Sequence, residues 1–167
     1  MLAGTKGADC EIEILRNLPK HRNVVTFHRA FQMSNKIYIF LELCDQGNLT
    51  DFIAKRNFID PETRRKITSA ADAQYIIRSI VKGLSFLSKN RIMHRDIKLD
   101  NVFVKLKDSA PTHSIRSGKD LPIENFEFKL GDFGLAKKLR NEDDINVSFC
   151  GTPLHMGPEV LGQLPYD

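Results

Sequence analysis

His94-Arg95-Asp96-Ile97-Lys98-Leu99-Asp100-Asn101 is the stretch on which the reading of this chain turns. It follows the strongest helical pattern in the sequence, so its charged and amide side chains fall on a loop rather than on a regular surface. In that pattern Ile76, Ile77, Ile80, Val81, Leu84 and Leu87 recur at threes and fours, with Ser69 or Asp72 as the cap and Ser88 near the end. Downstream, Val102–Val104 reads as a short strand and Phe126–Leu130 as another, alternating with charge. The second strand runs into Asp132-Phe133-Gly134, and the loop-rich remainder carries Gly151-Thr152-Pro153-Leu154-His155-Met156-Gly157-Pro158-Glu159. Taken singly, each of these segments reads better as turn formers and loop caps. Their order, each on a loop beside a strand or helix, is what carries information.

Working outward, Ile12, Leu15 and Leu18 fall on one helical face, which predicts a helix over 9–18 ended by Pro19. Val24–Gln32 and Ile37–Leu43 are β-branched and aromatic runs about the turn Ser34-Asn35-Lys36, an antiparallel pair. Gly47-Asn48 interrupts, and Leu49–Ala54 reads as a short helix. Residues 55–68 are charged and irregular, with Asp60-Pro61-Glu62 able to start a helical turn. Lys105–Asn125 lacks periodicity and reads as a surface insertion.

Composition narrows the class. The chain has 167 residues, 41% hydrophobic and 28% charged, as a globular protein has. No apolar run approaches the roughly 18–20 residues that span a bilayer, and residues 1–9 lack a secretory signal pattern. Cys10, Cys44 and Cys150 are scattered, which argues against a disulfide framework and for a reducing, cytoplasmic setting. Net charge is +4, but both signs are interspersed, so a solvated surface is expected and no nucleic acid partner.

The ordered set His-Arg-Asp-x-Lys-x-x-Asn, strand, Asp-Phe-Gly and Gly-Thr-Pro…Pro-Glu resembles the eukaryotic protein kinase family over essentially the whole chain. The implied fold is α+β, a bilobal kinase fold incomplete at both ends, with residues 1–43 as an N-lobe remnant and 44–167 as hinge, catalytic loop and activation segment. The implied reaction is transfer of the ATP γ-phosphoryl group to Ser or Thr hydroxyls of a protein substrate, with ATP and Mg²⁺. The transferring group carries spread negative charge, so positioning and cationic stabilisation do the catalysis. A carboxylate meeting the acceptor hydroxyl fits Asp96, and hard oxygen ligands for Mg²⁺ fit Asn101 and Asp132. The resemblance sets Lys98 beside the transferring phosphate and Thr152 near the base and that lysine. Lys98 and Gly151-Thr152-Pro153 favour Ser/Thr over Tyr acceptors.

The upstream half resembles helix αC and the strands beyond it. Glu11 is then the partner of an ATP-positioning lysine, or Glu13 if the register slips. Leu41 is the gatekeeper, and Glu42 and Cys44 offer hinge backbone to adenine, with Cys44 a small apolar residue rather than a reactive thiol. Phe103 lies beneath the base, and Leu15, Phe27, His94 and Phe133 stack between the lobes. Arg95 beside Asp96 implies control by phosphorylation, with Ser148 as acceptor for an activating kinase or for autophosphorylation. The run Glu142-Asp143-Asp144 could supply that charge instead.

The sequence departs from the family in places. No Gly-x-Gly-x-x-Gly or Val-Ala-x-Lys precedes Glu11, Lys6 is too close to serve, and no helical remainder follows Asp167. Gly157 stands where Ala is usual and His155 where Tyr or Trp is. A fragment with little ATP affinity is therefore expected, and an inactive kinase-like binding module remains the rival reading. A small-molecule kinase is a third, against which the Gly-Thr-Pro…Pro-Glu segment argues. The 31-position step from Asn101 to Asp132 and the Cys-Gly-Thr-Pro run are similar to the autophagy-initiating, ULK-type kinases.

Overall fold

A computed structural model describes residues 5–34, 36–56, 69–111, 121–140 and 148–166. The Asp60-Pro61-Glu62 turn, the run Glu142-Asp143-Asp144 and the middle of the expected insertion lie outside the described residues. The elements are α1 (Thr5–Asn17), β1 (Phe27–Met33), β2 (Lys36–Leu41), α2 (Leu49–Lys55) and α3 (Ala70–Lys89). They continue with β3 (Ile92–Met93), β4 (Val102–Leu106), β5 (Phe126–Leu130), β6 (Lys137–Lys138) and α4 (Pro158–Leu161). The strands pair antiparallel as β1–β2, β3–β6 and β4–β5. The architecture is α+β, and no helix of the described residues is long and apolar enough to cross a membrane.

Helix α1 starts at Thr5 rather than residue 9, so Lys6 belongs to its first turn. Ile14 and Leu15 are its buried face. Of the two candidate caps for α3, Ser69 serves: its Oγ accepts from Asp72 N–H at 3.0 Å. Asn48 caps α2 in the same way, accepting from Asp51 N–H at 2.8 Å. On α3, Ile76 and Leu87 are buried and Ile80 and Leu84 pack on the core. Ile77 and Val81, expected on the same buried face, are 59% and 54% exposed. Six apolar residues span too wide an arc for one helix face to bury.

Two further expectations are corrected. Val24 and Val25 precede the strand pair instead of starting it. They are buried and join β5, with Val25 N–H donating to Leu130 O at 2.9 Å. Lys105 and Leu106 extend β4, opposite Glu127 and Phe126, and the far end of the insertion is anchored by buried Leu121 and Ile123. The segment is therefore tied to the core at both ends.

The core centres on β4, β5 and α2: Val102, Val104, Phe126, Phe128, Leu130, Phe133, Leu49 and Leu87 are essentially fully buried. Phe52 meets Phe126 and Phe128 edge-on, at centroid distances of 4.9 and 5.8 Å. Helix α3 reaches this sheet through Gly83, where a Cβ would lie 2.7 Å from Asn23 O and 2.9 Å from Leu130 Cδ1. That close approach fixes the helix against the strand that leads into Asp132.

Candidate active site

The pairing of β3 with β6 brackets the loop from His94 onward, and β4 with β5 brackets its exit. Two main-chain bonds close the frame: Gly131 N–H to Asn101 O at 3.0 Å, and Asn101 N–H to Lys98 O at 3.1 Å. Buried His94 donates from Nε2 to Gly131 O at 2.9 Å and lies against Phe133, ring centroids 5.1 Å apart. Burial lowers its pKa, so it stays neutral and structural. Leu15 and Phe133 are buried in the core, and Phe27 packs against it. Arg95 and Asp132 both hold positive φ, 66° and 58°, a conformation that non-glycine residues rarely take.

The buried Asp96 carboxylate is held by donors on both oxygens. Its Oδ1 accepts from Thr152 Oγ1 at 2.6 Å and Thr152 N–H at 3.0 Å. Its Oδ2 accepts from Asn101 Nδ2 and pairs with Lys98 Nζ, both at 2.9 Å. Lys98 also donates to Thr152 Oγ1 at 2.9 Å. Burial pushes the Asp96 carboxyl up, but the bonds from Thr152, Lys98 and Asn101 outweigh it and take the group down to about 2. The hydrogen bond to Asp96 raises Lys98 in turn. Asp96, Lys98, Asn101 and Thr152 are thus brought together.

Asp132 is exposed at the end of β5, with its Oδ1 accepting from Gly134 N–H at 3.3 Å. Half-buried Glu11 approaches it from α1. Burial, then the Asp132 charge, raise the Glu11 carboxyl, and a hydrogen bond from the Phe133 main chain only partly opposes them. Glu13 is exposed and lines a groove with Phe31 instead, so of the two only Glu11 faces Asp132. The donor set suits a hard cation: the Asn101 nitrogen is spent on Asp96, leaving its amide oxygen, and Asp132 and Glu11 are carboxylates in mutual repulsion. Just before Asp132, a Cβ on Gly131 would lie 2.5 Å from Val25 Cγ2 and 2.7 Å from the Phe103 ring. Phe103 therefore packs directly on the backbone that presents Asp132.

The hinge residues divide. Leu41 is partly exposed at the end of β2. Glu42 turns its carboxylate inward, accepting from Thr26 N–H at 2.7 Å and pairing with Lys129 at 3.2 Å, and its own N–H donates to Thr26 O at 2.9 Å. That N–H is not free for a ligand. The Cys44 thiol is pushed up to about 11 by burial and by the Glu42 charge, so it stays protonated.

Sequence reasoning missed two features. Lys129 is 4% exposed and bridges Glu42 and Glu127, each at 3.2 Å. The glutamate ending an apolar strand was the available signal. Arg95 donates from Nε to Leu135 O at 2.7 Å and hydrogen-bonds Tyr166, whose hydroxyl donates to Ser148 O at 2.7 Å. No sequence spacing points to that tyrosine.

Comparison with known proteins gives one family: the protein kinase domain, matched over residues 4–167. Serine/threonine-protein kinase PLK1 of Xenopus laevis is 34% identical over 153 residues, 92% of this chain and 21% of that protein. Serine/threonine-protein kinase polo of Drosophila melanogaster is 37% identical over 151 residues, 90% of this chain and 21% of that protein. PLK2 of Mus musculus is 34% identical over 155 residues, 93% and 19% respectively. The chain spans about a fifth of the length of these relatives. They are polo-type and do not bear on the likeness to autophagy-initiating kinases.

Proposed function

The chain belongs to the protein kinase domain family, and from that premise we propose that it transfers the γ-phosphoryl group of ATP to Ser or Thr hydroxyls of protein substrates. The observation that carries this is the Asp96 carboxylate, ionised and held by Thr152, Lys98 and Asn101. The acceptor hydroxyl binds with its proton toward Asp96. As its oxygen bonds to the γ-phosphorus, the bond to the β,γ-bridging oxygen breaks, ADP leaves, and the hydroxyl proton passes to Asp96. With a pKa near 2 Asp96 is a weak base, which fits a loose transition state in which the proton moves late. Lys98 donates to the transferring oxygens while keeping Asp96 oriented, and Thr152 fixes the peptide-facing turn to the base.

Mg²⁺, when bound, would neutralise charge between the phosphates, held by Asn101 and Asp132. Adenine would lie over Phe103 and meet the Glu42 carbonyl and the Cys44 main chain, beside Leu41, and Glu11 would face the phosphates from α1. The cleft then separates residues 1–43 from 44–167 as the two lobes. Ser148 is proposed as the acceptor for activation, by this kinase or another, and a cytoplasmic location fits the three free thiols.

Transfer of labelled phosphate from ATP to Ser, Thr and Tyr peptides tests the reading. Labelled Ser or Thr that disappears in Asp96→Asn supports it, and transfer that survives the substitution overturns it.

A further inference from the structure

A cleft of about 160 Å³ opens between α3 and the loop before β1, lined by Arg22, Asn23, Tyr75, Arg78, Lys82 and Glu127 among others. None of these residues belongs to the proposed transfer machinery. Asn23 is 3% exposed, and its Nδ2 donates to Phe128 O at 2.9 Å, which fixes the side chain. Its Oδ1 is then a buried acceptor with no partner among the described residues. Such a group is costly to leave unmet, and a donor entering the cleft would satisfy it.

The rim carries an excess of positive charge. Arg78 and Lys82 are exposed, one turn apart on α3, and neither pairs with a carboxylate among the described residues. The nearby carboxylate, Glu127, is shared: one oxygen lies 3.4 Å from Arg22 Nη2 and the other 3.2 Å from buried Lys129 Nζ. A ligand here must bring negative charge to the rim and a hydrogen-bond donor to Asn23. The space holds a side chain and a stretch of backbone, not a nucleotide.

We propose that this cleft docks an acidic segment of a protein partner, an Asp or Glu carboxylate meeting Arg78 and Lys82 while a main-chain N–H reaches Asn23 Oδ1. The carboxylate gains charge-assisted bonds, and the peptide amide supplies the donor that a carboxylate lacks. The inference does not depend on the transfer reading.

Fluorescence anisotropy of a short Glu-rich peptide, titrated into the 167-residue chain, tests it beside the same peptide with Gln for Glu. The Glu peptide binds and the Gln peptide does not. Arg78→Ala/Lys82→Ala weakens binding about tenfold or more, whereas the charge-keeping swap Arg78→Lys/Lys82→Arg retains most of it. Lys36→Ala/Lys55→Ala removes equal charge elsewhere and changes affinity less than about twofold. In wild type the Asn23 side-chain amide resonances shift on titration. Equal loss in both alanine pairs overturns the proposal in favour of unspecific attraction. Competition by inorganic phosphate alone, or tighter binding of single-stranded DNA, overturns the peptide as occupant.

Discussion

Asp96 and Glu11 reach the same site from different parts of the chain, and their surroundings push them in opposite directions. Around Asp96 the groups bonded to it are donors and a cation, and the carboxyl falls to about 2. Glu11 meets burial and a second carboxylate, and its pKa rises. One region is complete without any ligand, because its charges already balance. The other carries surplus negative charge, and a cation bound by Asp132 and Asn101 would relieve it. On the proposed reading, Asp96 is preorganised by the protein, whereas the Asp132 side would be organised by the cation it binds.

The largest expected effects test that division directly. Asp96→Asn should lower transfer by about 10²–10⁴-fold, the usual contribution of a positioned base, while leaving Mg-ATP affinity nearly intact. Asp132→Asn should weaken Mg-ATP binding itself and raise the Mg²⁺ concentration needed for transfer. Parallel titration calorimetry and transfer assays separate the two. Equal loss of nucleotide affinity in both variants would show that the roles are assigned wrongly. Asp96 also predicts a pH dependence. Its folded pKa lies below the ordinary 3.8, so its contribution to stability is present above that value and lost as pH falls toward about 2. Asp96→Asn should flatten acid unfolding in that window.

Next in size is the platform beneath. Lys129→Met leaves the Glu42 and Glu127 carboxylates facing each other without their buried cation, a loss of about 3 kcal/mol. Adding Glu42→Leu should recover part of it, because an apolar pair needs no compensation. Urea unfolding of the single and double variants measures this, and a double variant no more stable than the single would refute the coupling.

Arg95 ties the catalytic loop to Leu135 and to Tyr166. Tyr166→Phe removes the hydroxyl that joins Ser148 O to Arg95, at a cost of about 1 kcal/mol. A phosphate on Ser148 would compete with that hydroxyl for Arg95. Peptide phosphorylation by Ser148→Ala and Arg95→Ala decides the issue. Activity kept in the first and lost in the second removes the phosphoserine switch and leaves Tyr166 as the segment's tether.

The catalytic loop, β5 and the turn at Asp132 were legible because short polar motifs sat between strongly periodic elements. Ser69 as cap and the β1–β2 pairing followed from local chemistry in the same way. What failed depended on distant partners. In Phe126-Glu127-Phe128-Lys129-Leu130 the alternation puts Lys129 outward with Glu127, yet Glu42 from the end of β2 covers it and makes it a buried pair. Val24 and Val25 look like strand residues because they are β-branched, but they pack against β5 rather than β2. Residues Ile77 and Val81 have the same composition as the buried face of α3, and nothing local distinguishes them.

The smallest expected effect is the sharpest probe of the contrast, because it changes one charge and little else. Glu11 has a folded pKa above its ordinary 4.5, so its favourable contribution is present below that value and lost as pH rises through the raised one. Above the raised value the ionised group therefore opposes folding slightly. Glu11→Gln keeps the acceptor for the Phe133 main chain while removing the repulsion with Asp132, and should stabilise the protein by about 0.5 kcal/mol at neutral pH. At pH 4 the advantage should vanish, since wild-type Glu11 is then protonated. Mg²⁺ should also narrow it, because a cation at Asp132 favours the ionised wild-type carboxylate more than the neutral amide. Denaturant unfolding at both pH values, with and without Mg²⁺, gives four differences to compare. A gap equal at both pH values would mean that Glu11 does not feel Asp132. A gap that is pH-dependent but indifferent to Mg²⁺ would place the cation elsewhere and return the surplus charge to burial alone.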